Sequence, residues 1–297
     1  MELTRPNLNA LRAGFQTIFE GALQGVADQR GDFVETVNSS SAEELYGWLA
    51  DLQGMREWVG ERVVQGLAEN DYRLKNREFE MTVAVSTTAI RRDTLGTYGP
   101  KFRIMGQAAG EWQERLFWEA LAAGTTGICY DGQPYFDTAH PVLAANGNIQ
   151  PVSNFQDGAG PTWYLMMTNG IVKPLIEQTE KTPDFVALDD PRDHNVFWEK
   201  NVVYGTDAAG ATGYAFWQMA YASRAPLTKE NYEAARSAMI NLTGDYGRPL
   251  GVVPNQLVVP ASLEGAARRI VMNELIDGGN SNEWAGTAEV TMSQWLR

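Results

Sequence analysis

One apolar stripe, running from Phe102 to Ala120, restricts the possible folds of this chain more than any other feature. Phe102, Met105, Ala109, Trp112, Leu116 and Ala120 recur at helical spacing on one face. The turn Tyr98-Gly99-Pro100 opens the helix, and Gly124 stands where a C-terminal cap is favoured. Glu111 and Arg115 are spaced to pair across one turn. A helix of that span exceeds ~30 Å, which is long for a domain of this size, so it reads as a structural spine.

Around the spine, 297 residues supply enough chain for one sizeable core or two modest domains. Lys and Arg total 24 against 37 Asp and Glu, a formal charge of −13. Such a surface repels nucleic acid and anionic lipid, and no run of Lys or Arg compensates locally. If the protein encloses DNA, it does so as a wall and not as a glue. Cys129 is the only cysteine, which excludes an intrachain disulfide and a Cys-rich metal site. Neither an apolar signal core nor a run of about 20 apolar residues is found, so the expectation is a soluble protein made in a reducing cytoplasm.

Before the spine, Leu8, Leu11, Phe15, Ile18, Phe19, Ala22 and Val26 mark a second amphipathic helix. Gly14, Gly21 and Gly25 weaken it, so it gains stability by docking on a surface. Ser39-Ser40-Ser41-Ala42-Glu43-Glu44 reads as a capped start for a short helix carrying Leu45, Trp48 and Leu49. Phe79, Met81, Val83 and Val85 alternate with Glu80, Thr82 and Ala84, the period of a strand. Tyr72, Leu74 and Asn76 alternate likewise, and Gly66 to Asp71 can reverse the chain against residues 61–65. Residues 55–85 therefore read as a long, charged β-hairpin arm.

After the spine, residues 125–162 carry the Gly, Pro and Asn of turns and short strands. Strand candidates follow at Phe197 to Tyr204, Gly213 to Tyr221 and Gln256 to Val259. A helix placing Leu263, Ala267 and Ile270 inward follows, with a stop at Gly278-Gly279.

No side chain reads as catalytic, cofactor-binding or metal-ligating. Asp137 and His140 are spaced for general-base work, but a nucleophile motif such as Gly-x-Ser-x-Gly is missing. The plainer reading packs His140 against aromatic neighbours in a turn. His194, in the acidic run Asp189 to Asp193, reads as part of a solvated turn, since EF-hand spacing is absent. Cys129, between Ile128 and Tyr130, reads as a small buried hydrophobe. Gly205 to Gly213 lacks any phosphate-cradle pattern. Tyr214, Phe216, Trp217 and Tyr221 lack the basic groove that base stacking needs, so they read as core or subunit-interface packing.

Several of these segments resemble the major head subunit of Mu-like phages and prophages. Ala42-Glu43-Glu44-Leu45-Tyr46-Gly47-Trp48-Leu49, then Met55-Arg56-Glu57-Trp58-Val59-Gly60-Glu61-Arg62, is similar to the family's N-terminal signature. Leu74 to Glu80 continues it. Cys129-Tyr130-Asp131-Gly132-Gln133-Pro134-Tyr135-Phe136-Asp137-Thr138-Ala139-His140-Pro141 resembles the central motif. Tyr204 to Asp207, Gly213 to Tyr221 and Leu257 to Pro260 complete the run. Arg92-Asp93, ahead of Leu95-Gly96, departs from a more acidic family pattern and bears on a subunit contact.

The resemblance implies an α+β fold of the Hong Kong ninety-seven capsid type. Residues 1–54 would be the N-terminal arm, 55–85 the extended hairpin loop, and 86–124 the peripheral domain with the spine helix. Residues 125–297 would form the axial domain plus strands returning to the peripheral sheet. The implied function is a major capsid protein forming pentamers and hexamers of an icosahedral shell around double-stranded DNA, located in the virion. The partners expected are itself, a separate scaffolding protein (the chain starts too near its docking helix for a fused one), a portal and a decoration protein. Neither a cofactor nor a membrane is expected. Some relatives of the fold weld the arm through a Lys–Asn isopeptide bond. Lys75 would be the candidate here, and the reading goes against it because no desolvated carboxylate is evident beside it. The alternatives are an encapsulin-like nanocompartment shell of the same fold and a soluble hydrolase using Asp137 and His140.

Overall fold

The computed structural model describes residues 4–49, 71–92, 97–144, 146–275 and 279–297. The N-terminal stripe forms helix α1 (Arg5–Gln24), with Pro6 in its first turn, where the missing N–H costs nothing. Strands β1 (Val34–Asn38), β2 (Glu43–Leu45), β3 (Arg73–Lys75) and β4 (Arg77–Ser86) follow, then a short helix α2 (Thr87–Arg91). The spine is α3 (Gly99–Ala122), which at 24 residues is about 36 Å long. Beyond it come β5 (His140–Leu143), β6 (Ile149–Val152), β7 (Phe155–Gln156), β8 (Trp163–Met166), β9 (Leu175–Lys181) and β10 (Val186–Leu188). Helix α4 (His194–Phe197) leads into the long strand β11 (Asn201–Tyr214), then β12 (Ala220–Ser223) and α5 (Lys229–Ile240). The chain closes with β13 (Gln256–Pro260), α6 (Glu264–Val271) and β14 (Glu289–Ser293).

Two five-stranded sheets organise the described residues. In the first, β1, β9, β11 and β10 are neighbours in that order, and β4 pairs antiparallel with β11 from Arg77 to Ser86. Helices α1 and α3 cover it: Leu8, Leu11, Phe15 and Phe19 meet Phe102, Met105, Val85, Val202 and Tyr204 in one buried cluster. The second sheet runs β14, β13, β8, β12, β7. One of its clusters joins Trp163, Leu165, Leu257 and Val259 to Tyr232, Ala235 and Met239 of α5 and Ala267 and Val271 of α6. Another buries Tyr164, Met166 and Val258 with Phe117, Trp118 and Leu121 from the last turns of the spine. One helix therefore supplies side chains to the cores of both sheets.

The spine can lie against α1 because two glycines face it. A Cβ on Gly106 would stand 2.2 Å from the Phe19 carbonyl oxygen, and one on Gly110 would stand 2.5 Å from Val26 Cγ2. Backbone contact of this kind leaves no room for any side chain.

Four sequence expectations change. Ser39 to Glu44 do not start a helix. Ser39 Oγ and Ser41 Oγ donate to Glu44 Oε1 at 2.8 and 2.9 Å, and residues 43–45 are drawn into pairing with β3. The same Ser and Glu that make a capping box satisfy one another in a turn, and these donors hold the Glu44 carboxyl below its usual range. The two strands expected on either side of residues 205–212 are displaced: β11 runs through that gap, while 194–197 is helical. Helix α6 stops at Val271, well before Gly279. Arg115 pairs with Glu119 at 3.5 Å, while Glu111 accepts a hydrogen bond from Gln107. The reversal expected at residues 66–71, the pairing with 61–65 and the departure at Asp93 all lie, wholly or in part, outside the described residues.

Two alanine substitutions should act in opposite directions. Gly106→Ala should destabilise the subunit by about 1–3 kcal/mol by overpacking, exceeding the ~1 kcal/mol that alanine gains in a helix. Gly14→Ala, with nothing within 4 Å of its Cβ, should stabilise by about 0.5–1 kcal/mol. Urea unfolding of unassembled subunits measures both; equal effects would contradict the backbone contact.

Candidate functional site

The central motif folds back on the end of the spine. Gly124 and Gly127 let this happen, since a Cβ would meet the Phe136 ring at 2.5 Å and Tyr214 Oη at 2.3 Å. Tyr135 N–H donates to Gly127 O, Phe136 N–H to Gly124 O, and Cys129 N–H to Gln133 O. The loop so closed carries Asp131 to the side of His140, nine residues on.

His140 has no exposed surface. Its Nδ1 lies 2.6 Å from Asp131 Oδ2, its Nε2 lies 3.1 Å from Asn154 Oδ1, and its ring stacks on Trp217 at 4.0 Å between centroids. Asp137 is not its partner: Asp137 Oδ1 accepts the backbone N–H groups of Thr138 and Ala139, closing a turn. Burial alone would raise the Asp131 carboxyl, but hydrogen bonds from His140, Cys129 and the Gln133 N–H hold it below its usual range. Burial and the neighbouring Asp131 push the Cys129 thiol well up.

Two chemical readings fail on this geometry. A histidine with both nitrogens engaged and no exposure cannot take a proton from a substrate, so the Asp137/His140 hydrolase reading is set aside. Cys129, Asp131 and His140 have ligand-type atoms within 4.8 Å of one another, a grouping that sequence spacing did not reveal. A tetrahedral metal at ~2.0–2.3 Å from each ligand would hold them about 3.3 Å or more apart. The contacts of 2.6 Å for His140–Asp131 and 3.0 Å for Cys129–Asp131 are those of hydrogen bonds.

The remaining expected positions are bland or structural. His194 begins α4 with an exposed side chain 3.7 Å from Glu199. The acidic run beside it is not free in solvent: Arg5 pairs with Asp190 at 2.6 Å and Arg12 with Asp189 at 3.3 Å, tying it to α1. Burial raises the Asp189 carboxyl. Tyr214, Phe216 and Trp217 are buried, and Tyr221 packs against the core that holds Phe216. Lys75 is exposed at the end of β3, in register with Glu43.

What the surface offers instead is apolar area. Leu45, Trp48, Ile171, Leu188, Phe197, Trp198, Tyr246, Met272 and Leu275 are all exposed. Among the described residues, the two non-glycine residues with positive φ are Tyr246 (61°) and Lys200 (58°), the latter close behind Trp198. Among the described residues, no helix is long and apolar enough to cross a membrane.

A spine shared by two cores and a polar centre closed to solvent fit a structural subunit. The family model described as the Mu-like prophage major head subunit gpT matches residues 8–296. The major capsid protein of Escherichia phage Mu is 35% identical over 100% of both chains. The FluMu major head subunit of Haemophilus influenzae is 37% identical over 90% of this chain and 89% of that one. A solved procapsid of bacteriophage JBD30 superposes with a TM-score of 0.85 at 36% identity, covering 99% of this chain and 100% of that one. The JBD30 capsid gives 0.79 at 29% identity, with 99% of each chain covered. The chain belongs to the Mu-like major head subunit family. It is a major capsid protein of the virion shell, in a family of structural proteins and not of enzymes.

Asp131→Asn should lose about 1.5–3 kcal/mol of stability near neutral pH, the scale of a hydrogen bond to a charged group. Because the folded carboxyl lies below its unfolded range, its contribution is complete above that range and lost as pH falls through the folded value. The stability gap between wild type and Asp131→Asn should therefore close in acid. A gap independent of pH would show that Asp131 is not the ionised partner.

Proposed function

We propose that this subunit assembles into pentamers and hexamers that tile an icosahedral shell around double-stranded DNA. The reading is carried by the end-to-end similarity to the JBD30 procapsid and capsid subunits. The exposed apolar surface and the net charge of −13 support it too, because a wall around DNA needs subunit contacts and no affinity for the genome. Residues 1–54 serve as the N-terminal arm, 55–85 as the extended hairpin loop, 86–124 as the peripheral domain with the spine, and 125–297 as the axial domain. From that last segment β9, β10 and β11 return to the first sheet. A separate scaffolding protein, a portal and a decoration protein are the expected partners. One related JBD30 structure is of a capsid decorated with minor capsid protein trimers.

Purified subunits should form rings, tubes or shells visible by electron microscopy, with co-expressed scaffold or crowding as the aid. A strictly monomeric sedimentation profile under all these conditions would overturn the reading.

The hairpin arm is expected to be held between subunits by non-covalent pairs, each exposed one worth ~0.2–1 kcal/mol but repeated across the shell. Denaturing gels of mature particles should show monomers. A ladder of multimers that vanishes in Lys75→Ala would instead establish a covalent weld.

A further inference from the structure

The hydrogens around His140 can be counted. Asn154 Nδ2 faces three carbonyl oxygens, those of Tyr135 at 2.8 Å and of Trp217 and Ala220 at 3.2 Å. Its Oδ1 accepts the Asp137 N–H at 2.9 Å. Reversing the amide would set NH2 against N–H and oxygen against three oxygens, so the orientation is fixed. Oδ1 has no hydrogen to give, and it lies 3.1 Å from His140 Nε2, so Nε2 carries one.

On the other side, Nδ1 stands 2.6 Å from Asp131 Oδ2. The second carboxyl oxygen already accepts from Cys129 Sγ and from the Gln133 N–H, both at 3.0 Å. Two donors on that oxygen favour the ionised carboxylate over the protonated one, which puts the shared hydrogen on nitrogen. Stacking on Trp217 at an interplanar angle of 7° sets the ring against an electron-rich face that favours a cation. The titratable groups around the ring are Asp131 and Cys129 from the loop after α3, and Asp137 from its own segment. Asp137 spends Oδ1 on backbone N–H groups. Asn154 and Trp217, from the other packed segments, bring no charge.

We propose that His140 is a doubly protonated imidazolium with no solvent contact, paired with Asp131, and that this ion pair is the pin fastening the exit of the spine helix to the second sheet. Asp131 belongs to the loop that leaves α3, and His140 begins β5. Asn154 precedes β7, and Trp217 follows β11. The pair thus binds four chain segments at one point. Removing the Nδ1 hydrogen while Asp131 stays ionised would set a lone pair against a carboxylate at contact distance, so the charge strengthens a loop that backbone hydrogen bonds already close. The device positions chain and does no chemistry.

Nitrogen-15 labelling of histidine rings in the full-length, unassembled subunit tests this, because the chain has only two histidines. His194, with its exposed side chain, supplies the solvent-exchanging reference. In neutral buffer His140 should show a directly bonded hydrogen on each ring nitrogen, both exchanging slowly. One bare ring nitrogen would overturn the proposal. In Asp131→Asn the Nδ1 hydrogen signal should vanish while the Nε2 signal persists, since Asn154 still requires it. Persistence of both signals would overturn the role given to Asp131. If that variant does not fold, the wild-type spectrum alone decides whether His140 carries the charge.

Discussion

The backbone contact between α1 and α3 is the constraint on which the rest of the structure depends. With Gly106 and Gly110 turned toward Phe19 and Val26, the two helices form a layer thin enough for Phe15 and Phe102 to stack at 4.0 Å. Both rings then meet Tyr204 of β11 edge-on at 5.4 and 5.3 Å. The sheet under that layer is fixed by the same side chains. Because the spine continues past this layer to bury Phe117, Trp118 and Leu121 in the other core, the position of α1 also bears on the second sheet.

Electrostatics reinforce the same junction from the N-terminal side. Arg5 and Arg12 reach Asp190 and Asp189 in the loop after β10, and Arg30 pairs with Glu177 of β9. The Arg5–Asp190 pair is at the surface and worth ~0–1 kcal/mol, whereas in the second pair the Asp189 carboxylate is itself buried. The third is largely out of solvent, where losing either partner would strand a buried charge. Arg30 Nη2 also donates to Gln113 of the spine at 3.0 Å, and Asp28 holds its Nε at 3.1 Å. Next to Glu177, the buried Gln178 accepts from Tyr46 Oη and donates to Leu74 O and Asn76 Oδ1. Tyr46, Leu74 and Asn76 are thus tied to β9.

The polar side chains around His140 are spent on one another, and the exposed apolar side chains lie elsewhere on the surface. The exposed rings of Phe197, Trp198 and Tyr246 stand on short segments anchored from below. Asn195 Nδ2 bridges Leu188 O and Asn201 O, and Asp245 Oδ1 accepts the Leu143 N–H. Rigid support under exposed apolar side chains suits contacts that recur many times in one shell, since little ordering entropy is lost when each forms.

Periodicity made α1, α3 and β4 legible in the sequence, because each turns one regular face inward, whereas β13 was legible as a short apolar run and is buried on both faces. The same stripes marked Leu8, Phe15, Phe102, Met105 and Val85 as core. The motif matches pointed to the capsid fold and family. Periodicity was silent on β11, where Gly205 to Thr212 carry no large side chains to alternate. That strand is buried by close approach, with Gly210 backed onto Gln178 O and Gly213 onto Tyr72, so packing and not propensity makes it a strand. The partner of His140 was equally out of reach. Asp137, three residues away, looked nearer than Asp131, nine away, until the glycine-closed loop folded one back and turned the other to its own backbone. By itself the sequence determined which helical and strand faces are buried, because burial is written in local spacing. Which residues meet across the chain was decided only by tertiary structure, because glycine contacts and buried hydrogen bonds exist only once two segments are brought together.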